Sequence, residues 1–101
     1  MSTQSVTIRF KYRKAELDAL YELEEKLAEA LEEADAGDYE GSEMAIDGSG
    51  GEMTMTGPDA HAIWAAVHPV LEAARFMRGA DAELRLGAGE DAETEEMTVG
   101  S

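Results

Sequence analysis

The sequence predicts an α+β two-layer sandwich, with one sheet covered on one side by two helices. Three observations lead there. Val6, Ile8, Phe10 and Tyr12 alternate with Thr7, Arg9 and Lys11, the period of a half-covered strand. Two later segments carry apolar residues at helical spacing, and short alternating segments stand between and after them. A chain of 101 residues can fill one two-layer core and not two.

Ser5 to Tyr12 is the first strand. From Lys14 to about Ala36 the period changes: Leu20, Leu23, Leu27, Ala30, Leu31 and Ala34 gather on one side of a helix, and Gly37 is the expected left-handed stop. Glu16, Asp18 and Glu22 suit the positive N-terminal end of that helix. Glu40 to Asp47 and Glu52 to Thr56 are the next strands, with Met44, Ile46, Met53 and Met55 alternating against polar neighbours. Pro58 and Asp59 then open a second helix, Asp59 capping the amides of His61 or Ala62. Its stripe is Ile63, Val67, Val70, Ala74 and Met77, and Arg75, Arg78 and Gly79 close it. Pro69 lies almost opposite that stripe and should bend the helix on its solvent side. Ala80 to Gly87 gives a last strand with Ala82, Leu84 and Leu86 inward.

The order β-α-β-β-α-β with right-handed crossovers implies a ferredoxin-like arrangement: four antiparallel strands in the order 4-1-3-2, with both helices on one face. Residues 1–87 form the expected single domain. Residues 88–101, with five acids and no base, are expected to be a disordered acidic tail. Strand one is then central, and its outward Arg9 and Lys11 face outward Glu52, Thr54 and Glu83, an internal use for a basic strand.

Charge bounds the function. Eight bases against 23 acids give −15, and the first 14 residues hold four of the bases and no acid. Such a surface repels phosphates and anionic lipid, so neither nucleic acid nor membrane is expected as a partner, whereas a basic protein is favoured. With no cysteine, thiolate and disulfide chemistry are excluded. The N-terminus has no signal-peptide pattern and no apolar run is long enough to span a bilayer, which makes the expected location cytoplasmic.

The chemical-looking pieces have structural explanations. Asp47-Gly48-Ser49-Gly50-Gly51-Glu52 fails the calcium-loop template, since Gly51, Glu52 and Pro58 stand where a ligand, a glycine and a glutamate belong. The stretch reads as a glycine-rich hairpin, and no metal or other cofactor is expected, a nonstandard carboxylate cation site being the variant of that reading. His61 and His68, seven residues apart, rise about 10 Å along a helix and cannot share one metal. Trp64 lies between them, and the three are expected as a boundary patch that can bind a partner. Asp38, Tyr39, Glu40 and Glu43 cluster in "GDYEGSE", the other candidate contact surface. The sheet's open face lacks the aromatics of an RNA-recognition domain, and "KYRKAE" lacks the anion-cradling loop of an acylphosphatase or ACT domain.

The pair "GDYEGSE" (Gly37 to Glu43) and "TGPDA" (Thr56 to Ala60) resembles a set of small, uncharacterised bacterial single-domain proteins. The resemblance implies a stand-alone bacterial domain with this strand and helix order. Together these readings lead to a non-catalytic, acidic protein–protein interaction module, of the inhibitor or adaptor class, in monomeric or homodimeric form. The alternative is a small-ligand binder or hydrolase-type enzyme using Asp38, Glu40 and Glu43 or the flank of His61 and His68.

Overall fold

A computed structural model describes residues 3–11, 17–44, 50–74, 77–87 and 92–99. The elements are β1 (Gln4–Phe10), α1 (Leu17–Ala34), β2 (Asp38–Met44), β3 (Gly51–Gly57), α2 (Ala60–Ala73), β4 (Asp81–Arg85) and β5 (Thr94–Thr98). The architecture is α+β, two helices and one fully antiparallel sheet in the order β2-β3-β1-β4-β5. β1 is central, as the element order implied, paired with β3 on one side and β4 on the other.

The expectation of four strands is corrected to five. Residues 94–98, expected within a disordered tail, form β5 along the outer side of β4. Val99 follows wholly buried, and its backbone N–H donates to Ala80 while its carbonyl accepts from Gly79. The open edge of β4 supplies unpaired backbone groups that pair with almost any extended chain, so an acid-rich segment with only Met97 and Val99 as apolar anchors is enough.

The core lies between sheet and helices. Val6, Ile8, Phe10, Met53, Met55, Ala82 and Leu84 point inward from the strands against Leu20, Leu27 and Leu31 of α1 and Ile63, Val67 and Leu71 of α2. Met53, Met55 and Met77 are fully buried, the gap-filling use expected of an unbranched side chain.

Both helix ends are built by identifiable groups. The Asp59 carboxylate accepts from the amides of His61 and Ala62, and the Gln4 side chain, reaching from β1, accepts from the amide of Ala60. At the end of α1 the left-handed residue is Asp35, with φ of 51°, and not Gly37. The Ala36 amide bonds to the Leu31 carbonyl and the Asp35 amide to that of Glu32, a Schellman cap with Ala36 and Leu31 both buried. α2 ends at Ala73, short of Arg75, which lies outside the described residues together with the 45–49 connection and residues 12–16.

Gly37 has another use. With φ of 154° it lies so close to β3 that a Cβ there would stand 2.1 Å from the Thr56 carbonyl oxygen. A Cβ on Gly57 would stand 2.3 Å from the Ala36 carbonyl oxygen. The two sequence motifs "GDYEGSE" and "TGPDA" therefore meet backbone to backbone across the β2–β3 pair, where Asp38 is opposite Thr56.

Candidate functional site

Among the described residues, the face of the sheet away from the helices is uncovered and polar. Reading across the strands, one row is Glu43, Glu52, Arg9, Asp81 and Thr98, the next Gly41, Thr54, Thr7, Glu83 and Glu96, and the third Asp38, Thr56, Ser5, Arg85 and Thr94. No aromatic stands in these rows. Arg9 bridges Glu52 at 3.4 Å and Glu83 at 3.6 Å, as its position predicted, whereas Lys11 lies past the end of β1 and outside the strand pairing expected for it. The pairs are about half exposed, which limits each to under about 1 kcal/mol.

At one edge, β2 separates the residues of "GDYEGSE". The register shifts between Tyr39 and Gly41, so Glu40 is the extra residue of a bulge and lies on the open face, where its carboxylate accepts from the Thr56 hydroxyl at 2.9 Å. Asp38 and Glu43 pair opposite Thr56 and Glu52 on that face. Tyr39 instead turns to the helix side, opposite Met55, and packs against the core. Its hydroxyl is buried next to Ser42 and Glu24, and among the described residues it makes no well-directed hydrogen bond. The Ser42 hydroxyl beside it donates to Glu24 of α1. Burial pushes the Tyr39 phenol well above its ordinary range, and the nearby Glu24 carboxylate pushes it further.

At the other edge, β5 changes the setting of the histidines. His61 Nε2 meets the Glu95 carboxylate of β5, and His61 Nδ1 lies 3.9 Å from the capping Asp59. His68 Nε2 pairs with Glu72 one turn on, while its ring stacks on Trp64 with centroids 4.7 Å apart. Trp64, His68, Glu72, Arg78, Glu96, Met97 and Thr98 line a hollow of about 550 Å³. Sequence reasoning missed Glu95, Glu96, Met97 and Arg78 as neighbours of this flank because it left the tail unpaired. The one available signal was the alternation of Glu95, Met97 and Val99, which is too acidic to stand out as a strand.

The two candidate groups are not brought together. β2 and β5 are opposite edges of a five-stranded sheet, so roughly 19 Å of strand spacings separates them. Each imidazole has a carboxylate partner, and among the described residues no hydroxyl is hydrogen-bonded to either ring. Among the described residues, no three or more His, Asp or Glu side chains are grouped to hold a metal ion. Asp47, Gly48 and Ser49 lie outside them. No described helix is long and apolar enough to cross a membrane.

No protein family, curated protein or solved structure matched the chain.

Proposed function

We propose that this chain is a non-catalytic acidic module that acts by binding a basic protein partner. The observation that carries the reading is the arrangement of its charged groups. On a chain of net charge −15, the carboxylates of β2 and the histidines of α2 are spread over opposite edges as separate surface groups, with Arg9 already satisfied inside the sheet. A strongly negative surface accelerates encounter with a cationic partner and suppresses anionic ones.

The arrangement is ferredoxin-like with one strand added at the β4 edge, in a cytoplasmic bacterial protein of the set that shares "GDYEGSE" and "TGPDA". The two motifs would recur together because Gly37 and Gly57 must approach one another. The free edges for self-association are β2 and β5, and not β4 as the four-stranded expectation had it. The bulge at Glu40 disrupts the β2 ladder, which favours a monomer, or a dimer formed through β5.

The test is affinity capture at low salt with elution along a salt gradient, followed by titration of the captured protein against wild type and Glu40→Gln/Glu43→Gln. The expected result is one basic protein whose affinity falls steeply with salt. Equal retention at high and low ionic strength would overturn the electrostatic reading.

A second reading, a small-ligand binder, is favoured by the hollow beside Trp64 and His68. A ligand there would change the Trp64 fluorescence, and a metabolite titration that leaves it unchanged counts against that reading.

A further inference from the structure

The helical layer carries a feature that charge alone does not explain. Between α1 and α2 runs a groove of about 650 Å³. α1 contributes Ala19, Leu23 and Ala30 to its lining, and α2 contributes Pro69, Val70 and Ala73. Leu23 is buried at its base, while Ala19, Pro69 and Ala73 are exposed and Ala30 and Val70 half-buried. The outward side of a surface helix is ordinarily polar, yet the last turns of α2 present an apolar strip to solvent.

We propose that this groove receives a cationic amphipathic helix of a partner protein. The inference rests on the basic-partner reading and adds to it the docking surface and the conformation of what docks.

The shape argues for a helix. The lining residues of α1 run from Ala19 to Glu33, which spans about 21 Å of helix axis, or about four turns. Ala19, Ala30 and Ala73 are short side chains along that floor, which favours approach of a third helix to the roughly 8–10 Å of packed helices. Helix-in-groove recognition reads apolar anchors one turn apart, and an apolar trough flanked by two helices matches that spacing.

The rim decides the sign of the occupant. Among the described residues, Glu22, Glu29 and Glu33 stand along it against one base, Lys26. A second copy of this chain would bring the same acidic rim and a net charge of −15 against it, and like charges facing one another disfavour that contact. An occupant with lysines or arginines flanking an apolar stripe satisfies both floor and rim.

The test uses the full chain and a synthetic peptide of about 18 residues, long enough for the groove. The peptide contains only leucine and lysine, with the leucines at helical spacing. The control has the same composition with the leucines distributed around the wheel. Amide NMR shifts are mapped during titration at low salt. Perturbation is expected along residues 19–33 and 70–74, with an affinity about tenfold or more above the control and a loss of about tenfold in Ala73→Gln, whose neutral side chain fills the floor without changing the charge. Ala73 is exposed, so that variant should keep the wild-type melting temperature and circular dichroism.

Equal affinity for both peptides, shifts confined to the sheet face, or indifference to Ala73→Gln would each overturn the groove while leaving salt-sensitive binding of basic partners intact. Self-association relieved by Ala73→Gln in the absence of peptide would put a second copy in the groove and overturn the proposal. Absence of any salt-sensitive binding by either peptide overturns the groove together with the reading beneath it.

Discussion

Tyr39 shows how one side chain can be read in two ways. As part of "GDYEGSE" it looks like a contact residue beside Glu40 and Glu43. The bulge in β2 sends it to the opposite side of the strand, under α1, where its hydroxyl is buried beside Ser42 and Glu24 with no well-directed hydrogen bond among the described residues. A buried donor left unsatisfied opposes folding, so Tyr39→Phe should leave stability unchanged or raise it by up to about 1 kcal/mol in a urea titration. The sign of its pH dependence follows from the raised pKa. Below about pH 10 the phenol is neutral in both folded and unfolded chains. Above that the unfolded chain ionises while the folded one resists, so stability falls as pH rises. The difference between wild-type and Tyr39→Phe stability curves should therefore widen in favour of the variant above about pH 10. At Gly37 the constraint is steric. Gly37→Ala places a carbon against the Thr56 carbonyl oxygen at a positive φ, and should lower unfolding free energy by at least about 2 kcal/mol.

Among the elements, β5 separates a disordered tail from a folded strand. A tail residue tolerates substitution, whereas a buried one does not. Val99 has no exposed surface and its backbone binds Gly79 and Ala80. Val99→Ala should thus destabilise by roughly 2 kcal/mol in thermal or chemical unfolding. A change near zero would restore the expectation that residues 88–101 do not belong to the fold. The same strand supplies Glu95 to His61 and Met97 to the hollow beside Trp64, so the histidine flank is a joint between helix and sheet and not a bare helix surface. Pro69 lies where its place opposite the core stripe put it. It remains on the outer side of α2, where its ring becomes part of the groove shared with α1.

Across the molecule the acids dominate. Acidic residues occupy all three rows of the open sheet face and also the rim of the helical groove, so the folded state gathers negative charge that the unfolded chain can spread out. Self-repulsion of this kind weakens as the Debye length shortens, to about 8 Å at physiological ionic strength. The melting temperature should therefore rise with sodium chloride, while affinity for the basic partner falls over the same range. Those opposite slopes are a joint signature: a melting temperature that falls with salt would show that favourable ion pairs, such as those of Arg9, outweigh the repulsion.

The residues alone defined both helices, the first four strands and the capping role of Asp59, and the element order then implied the central place of β1. Each rests on local chemistry: apolar period, turn residues and a side-chain oxygen within reach of free amides. Arg9 could be matched to Glu52 and Glu83 in advance because alternation fixes which side chains share a face. The fifth strand, the inward turn of Tyr39, the left-handed cap at Asp35 and the groove between the helices came only with the tertiary structure. Strand pairing along β4 uses backbone groups that every residue carries, a bulge changes face without altering composition, and a groove exists only when two helices lie side by side. Local pattern specifies an element where side chains choose its conformation; the assembled fold decides wherever backbone pairing or the space between elements does the choosing.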